Sequence, residues 1–169
     1  MKKICITGTP GTGKTMLSKN LAKKLNFLYL DVSKLISKYK LPEGYDKKRK
    51  TKIVDVKKLN KALIKEITIR KKSSKGRFFS GIIIDSHLSH YLPKKYVDLC
   101  IVAKCDIKVL NRRLKKKKFN KNKVTENVQA EIFDICYNEA LERKHNVIVI
   151  DTTKRFNINN IYQKIKVLL

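Results

Sequence analysis

An α/β fold, with a parallel sheet covered by helices on both faces, is predicted by three observations on this sequence. Five short apolar runs, at residues 4–6, 27–30, 81–85, 97–103 and 147–150, are separated by segments with helical periodicity. The runs are continuous rather than alternating, which is the pattern of strands buried on both faces. The first run flows into a glycine-rich turn, Gly8-Thr9-Pro10-Gly11-Thr12-Gly13-Lys14-Thr15, which fits G-x-x-x-x-G-K-[ST].

Each element follows in order. Ile4-Cys5-Ile6 reads as the first strand, and Leu17, Leu21 and Leu25, four apart, mark one face of the helix after the turn. Residues 27–30 form a second strand ending at Asp31, followed by a helix over 33–39 and a loop over 41–46. Asp55 caps a helix carrying Leu59, Leu63 and Ile67. Residues 71–77 are small and polar and read as an exposed loop. Gly81-Ile82-Ile83-Ile84-Asp85 is a strand ending in a carboxylate, and 97–103 is another, with Asp98 at its entry. Asp106 caps a helix with Val109, Leu110 and Leu114. A long helix is predicted over 125–143, with Val128, Ile132, Ile135 and Cys136 facing inward. Residues 147–150 form the last strand, ended by Asp151, and Ile158, Ile161, Ile165 and Leu168 line a closing helix. In such sheets ligands bind at the carboxyl ends of the strands. The glycine-rich turn, Asp31, Asp85 and Asp151 should therefore gather along one edge.

The chain has 169 residues, a single-domain length that can bury a core without disulfides. No stretch reaches the roughly 20 apolar residues that span a bilayer. The basic start turns polar too soon for a signal peptide, so a cytoplasmic protein with no membrane partner is expected. None of the four cysteines has C-x-x-C spacing. Cys5, Cys100 and Cys136 read as core residues, and Cys105 as a partly exposed thiol. The net charge is +27. It favours polyanionic partners such as RNA, although lysine is also an ordinary soluble surface residue and is enriched in proteins from hot environments. The densest clusters are 47–50, 70–72 and 115–118.

The glycine-rich turn has a specific chemistry. Its glycines let backbone N–H groups point inward around phosphate oxygens, and the following helix adds its positive end. Lys14 can reach the β- and γ-phosphates of a nucleotide, and the Thr15 hydroxyl can hold Mg2+. Asp85 has the position of the strand-end acid that orders Mg2+ through water in phosphate-loop enzymes; its plainer reading is a turn residue. His87, two residues on, would face the γ-phosphate and could position water; alone, it reads better as a loop histidine bonded to a carbonyl. His90 and His145 have no such context and read as structural or surface residues. Arg112, Arg113 and Lys115 to Lys118 suit a lid over the donor, or simply a solvated helix end. The fold is thus a phosphate-loop NTPase fold with a five-stranded parallel sheet flanked by helices.

At these residues the chain resembles the adenylate kinase isoenzyme six family, small nucleoside monophosphate kinases that also act as ATPases in small-subunit ribosome biogenesis. The resemblance covers nearly the whole chain. It rests on the 8–15 loop, Gly44-Tyr45-Asp46, the Asp85-x-His87 pair, Leu92-Pro93, Val109-Leu110-x-x-Arg113-Leu114 and Glu126-Asn127-Val128-Gln129-Ala130-Glu131-Ile132, in a form that looks archaeal. It implies one kinase domain over 1–169 that moves the terminal phosphate of ATP to AMP or related monophosphates with Mg2+. Lys14, Asp85 and His87 would be catalytic. Gly11, Gly13, Lys14, Thr15, Met16 and Lys117 would contact the donor, and Thr15 and, through water, Asp85 would hold the metal. Residues 33–55 would form the monophosphate site and 116–123 the lid.

The resemblance also implies binding to ribosomal protein uS11, with ATP hydrolysis driving release during maturation of 16S rRNA in the pre-30S particle. Two features depart from the family. Lys117-Lys118-Phe119 stands where members usually carry Arg-Gly-Tyr, and an ammonium lacks the bidentate fork of a guanidinium. Residues 72–80 are longer than the usual turn. Two other readings remain: a phosphate-loop kinase of another small acceptor, such as shikimate or dephospho-coenzyme A, and an ATPase assembly switch with little kinase activity. No shikimate-binding arginine pattern is present.

Overall fold

The computed structural model describes residues 1–47, 51–72 and 79–169. The side chains of residues 51, 52, 71 and 72 also lie outside the description, as do parts of the basic clusters at 47–50 and 70–72, of the 33–55 segment and of the 72–80 stretch. Seven strands are described: β1 (Lys2–Thr7), β2 (Phe27–Asp31), β3 (Pro42–Asp46), β4 (Thr51–Val54), β5 (Gly81–Asp85), β6 (Leu99–Lys104) and β7 (Val147–Asp151). The helices are α1 (Lys14–Leu25), α2 (Val32–Lys38), α3 (Val56–Lys72), α4 (Ile107–Lys116), α5 (Lys121–Ile132), α6 (Ile135–Glu142) and α7 (Ile158–Leu168).

Five strands pair in parallel in the order β2-β5-β1-β6-β7, as the apolar runs predict. Their alternating side chains feed two cores. Cys5, Ile82, Ile84, Cys100 and Val102 pack with α2, α3 and α6 on one face. Ile4, Ile6, Ile83, Leu99 and Ile101 pack with α1 and α7 on the other. Register places Asp31 beside Asp85, and Asp85 beside Ile6, so the strand-end carboxylates share the edge that carries the glycine-rich loop. Two predicted caps form, at Asp55 and Asp106, and a third appears at Asp31, expected only as a strand end. Asp31 accepts from the amides of Ser33 and Lys34, Asp55 from Lys58 N at 2.8 Å, and Asp106 from Val109 N at 3.1 Å.

Four expectations are corrected. Residues 42–46 are not a loop but a strand, paired antiparallel with β4 in a hairpin separate from the main sheet. The predicted helix over 125–143 is two helices, because Asp134 takes a left-handed conformation (φ 53°) between α5 and α6. The turn rotates the helical faces, so Ile132 and Ile135, expected inside, are 56% and 42% exposed. Cys105 is buried rather than partly exposed, because α4 and α5 fold over it with Leu110, Leu114 and Val124. Burial pushes its thiol up to about 11, against the opposing pull of Arg113. Leu168, placed on the buried face of the closing helix, is 42% exposed, whereas Ile161 and Ile165 are buried. His90 and His145 are both buried structural residues. Among the described residues no helix is long and apolar enough to cross a membrane.

Candidate phosphate-binding site

The loop between β1 and α1 has the backbone its sequence requires. Gly8, Gly11 and Gly13 have φ of 131°, 100° and 102°, a region that residues with a Cβ rarely enter. Gly8 is further confined, since a Cβ there would stand 2.3 Å from the Ala103 carbonyl oxygen. Lys14 opens α1 and is buried; its Nζ donates to the carbonyls of Gly8 at 2.7 Å and Thr9 at 2.9 Å. Burial lowers its pKa to about 8, opposed by the charges of Cys136 and Asp85. Thr15 and Met16 follow on the exposed side of the helix start.

A cavity of about 430 Å³ is lined by Gly11, Gly13, Lys14, Thr15, Met16 and His87, together with Pro10, Arg113, Lys116 and Lys117. Every donor-contact residue expected from the resemblance therefore lines one concavity. Asp85 is buried beside it at the end of β5, where its Oδ2 accepts from the Tyr29 hydroxyl at 2.8 Å. That bond and burial push the Tyr29 phenol well above its usual range. His87 stands between this cavity and a second one of about 540 Å³ that reaches across to α5 and α6. Desolvation in the cleft, and then the cation of Lys14, lower the His87 pKa to about 4, so its imidazole is neutral at physiological pH. The residue as a whole is nevertheless exposed.

Asp31 and Asp151 lie on the same edge but serve the backbone. Asp31 caps α2, and Asp151 accepts from Thr153 N at 2.7 Å. Arg113, expected in a lid, is a fixture of the loop. Its guanidinium donates to Thr12 O at 3.3 Å, Thr152 O at 2.8 Å and Thr153 O at 3.1 Å. Thr152 also donates to Thr12 O. No pattern in the sequence marks Thr152 or Thr153; only Arg113 carried a signal, and it pointed elsewhere. The rest of the expected lid, 116–123, is the end of α4, a short turn and the first turn of α5. In the turn Lys117 and Lys118 are exposed, Asn120 caps α5, and Lys123 of α5 lies 4.6 Å from the centre of the Phe119 ring.

Hard oxygen donors suit Mg2+. Thr15 offers a hydroxyl at the cavity, and Asp85 a carboxylate with one oxygen held by Tyr29, so the pair fits that ion, with phosphate and water completing its shell. Among the described residues no group of three or more His, Cys, Asp or Glu side chains forms a cage for a metal without substrate.

Residues 4–134 match the family model of the AAA domain. The chain is 39% identical over 163 residues to a provisionally named adenylate kinase of Methanocaldococcus jannaschii, covering 96% of this chain and 83% of that protein. It is 32% identical over 160 residues to the adenylate kinase isoenzyme 6 homolog of Dictyostelium discoideum, covering 93% and 86%. This chain belongs to the adenylate kinase isoenzyme six family. The fold also superposes on deoxyadenosine kinase from M. mycoides with bound dATP at a TM-score of 0.58, with 18% identity, covering 98% of this chain and all of that one. At that identity the likeness is one of fold, that of phosphate-loop kinases. In this family member the phosphate loop and His87 share one cavity with Asp85 at the neighbouring strand end, whereas in the expected monophosphate segment α2 packs into the core and the β3–β4 hairpin pairs with neither sheet edge.

Proposed function

We propose that this chain transfers the terminal phosphoryl group of ATP to a nucleoside monophosphate, with AMP as the reference acceptor. The observation that carries the reading is the cavity in which the loop glycines, Lys14 and Thr15 face His87. The loop amides and the start of α1 hold the triphosphate. Lys14 exchanges the carbonyls of Gly8 and Thr9 for phosphate oxygens by rotating its side chain, and neutralises charge that builds up during transfer. Thr15 and, through water, Asp85 would hold Mg2+, which when bound would supply positive charge that neutralises the phosphates. Lys116 and Lys117 cover the donor, and residues 33–55 receive the monophosphate. Incubation with ATP, Mg2+ and a panel of monophosphates should yield ADP and the acceptor diphosphate. The kinase reading is wrong if no monophosphate accepts phosphate while ATP binds normally.

A second activity, ATP hydrolysis coupled to small-subunit maturation with uS11 and 16S rRNA as partners, is favoured by His87. A neutral imidazole on a residue exposed at the phosphate cavity can accept a hydrogen bond from water and aim it at the γ-phosphate. The charge of +27 suits an RNA-rich partner in the cytoplasm. His87→Ala should suppress hydrolysis more than ATP binding and stall partner release. Normal release by that variant would count against the switch.

A further inference from the structure

Beneath the phosphate loop runs a buried chain of polar groups that the proposed reaction does not use. His90, 1% exposed, follows β5 in a 3-10 turn (Ser89–Tyr91). Its Nε2 lies 2.9 Å from Glu139 Oε2 on α6, and its Nδ1 lies 2.6 Å from the hydroxyl of Thr7. Thr7 is fully buried and immediately precedes Gly8. The other oxygen of Glu139 accepts from the Tyr91 hydroxyl at 2.6 Å.

These partners fix the tautomer. An ionised carboxylate only accepts, so Nε2 carries the proton and Nδ1 is left to accept. Burial lowers the His90 pKa, against the raising effect of Glu139, which agrees with a neutral ring. The single Thr7 proton therefore points at Nδ1, and the same hydroxyl oxygen stands 3.3 Å from the carbonyl oxygen of His87. The loop carrying His87 is tied to β1 twice more, by Ser86 N and Ser89 Oγ, both donating to Ile6 O. One helical turn before Glu139, Cys136 on α6 lines the second cavity together with Thr9 and Pro10 of the loop. The same face of α6 thus fronts the loop across that cavity and is linked to its start through Glu139, His90 and Thr7.

We propose that His90 is a positioning residue for phosphoryl transfer: held by Glu139, it fixes Thr7 and with it the placement of Gly8 at the start of the phosphate loop. The inference rests on the kinase reading above. A buried histidine that only fills space would be replaceable without altering turnover. A positioning residue is not, because displacing reacting groups by about an ångström costs on the order of 10²-fold in rate.

Separate variants test the two arms. Thr7→Val removes the hydroxyl with little change of shape. His90→Gln keeps an amide donor toward Glu139 and removes the acceptor facing Thr7, whereas His90→Asn keeps an acceptor near Nδ1 and gives up Glu139. Thr7→Val and His90→Gln should each lower kcat about ten- to a hundredfold, with KM for ATP changed less than about threefold. His90→Asn, which loses the hold of Glu139 but keeps an acceptor for Thr7, should lower kcat less than His90→Gln does, and the double variant Thr7→Val/His90→Gln should be no slower than either single one. Wild-type kcat in Thr7→Val, additive losses in the double variant, or losses that merely follow melting temperature would each overturn the proposal.

Rates are referred to the wild type with AMP or with water as acceptor. A protein that hydrolyses ATP but makes no ADP from AMP refutes the kinase reading and leaves the His90 comparison readable. Nitrogen-15 NMR of labelled histidine gives a readout independent of turnover. It should show His90 protonated at Nε2, with the Nδ1 resonance moved by Thr7→Val; an Nδ1-protonated ring would end the proposal.

Discussion

The phosphate loop and the hairpin of β3 and β4 lie in one small protein but are held in opposite ways. The loop is fastened from every side: Arg113 and Thr152 bind the Thr12 carbonyl, Ala103 confines Gly8, and Leu110 and Leu114 press against Gly11. The hairpin pairs only with itself, and its Tyr45 and Ile53 are 57% and 53% exposed. Its described ties to α3 are the packing of Val54 beside the core that holds Leu59 and Leu63, and the exposed pair Lys58–Glu43, a type of contact worth little in water. Behind it, Lys38 and Tyr39 at the end of α2 meet the buried Glu66 of α3. The difference teaches that the phosphate loop is held from several sides, whereas the outer face of the hairpin in the segment proposed for the acceptor is held by few contacts.

The sharpest way to break that comparison is at the well-held half. Lys14→Ala should reduce ATP turnover on the order of 10²–10³-fold, as loss of a charge-stabilising donor does elsewhere, and a steady-state assay would measure it. Wild-type turnover would mean that the loop is merely structural. Arg113→Met removes the guanidinium from the Thr152 and Thr153 carbonyls and leaves Thr12 O with the Thr152 hydroxyl alone. It should weaken ATP binding about tenfold by calorimetry, since hydrogen bonds to a charged group are worth about 1.5–3 kcal/mol. An unchanged affinity would show that the glycine backbone holds its shape alone.

Glu66 tests the support beneath the loosely held half. Burial would raise its pKa, but the hydrogen bonds from Lys38, Arg70 and Tyr39 overcome this and hold it at about 2. A carboxylate depressed in the fold stabilises it above the unfolded value near 4.5, and that stability is lost as pH falls toward about 2. Glu66→Gln should remove about 2 kcal/mol at pH 7 and flatten the stability curve across that acid range in urea titrations. A curve as steep as that of the wild type would place the acid sensitivity elsewhere. The smallest effect is expected on the exposed face of the hairpin, at Tyr45 of β3. Tyr45→Ser should alter stability by less than about 0.5 kcal/mol. It should raise KM for AMP severalfold and leave KM for ATP unchanged; equal shifts in both would remove the distinction between the halves.

Much of the well-held half was legible in the sequence, because its signals are local. A strand, a glycine-rich turn and a helix are consecutive, and the periodicities of Ile4 to Ile6 and Leu17 to Leu25 mark the transition between them. The sheet followed from continuous apolar runs, and the caps at Asp55 and Asp106 from residue type and position. What stayed hidden depends on distance or on a single dihedral. The hairpin was missed because Pro42-Glu43-Gly44-Tyr45-Asp46 is too exposed to show alternation. Nothing before Asp134 announces a left-handed residue, so two helices read as one. Arg113 reads as a helix-end cation until Thr152, far along the chain, is seen to share its partner. Cys105 looks solvent-facing until α4 and α5 close over it.

The separateness of the β3–β4 ladder has one more consequence. Because none of its pairing bonds is shared with the five central strands, substitutions or changes of length there cost the remaining architecture almost nothing. Where the hairpin receives the acceptor, as proposed above, preference among small phosphorylated partners can drift from lineage to lineage on an unchanged chassis, and the hairpin is the natural first place to graft a new one.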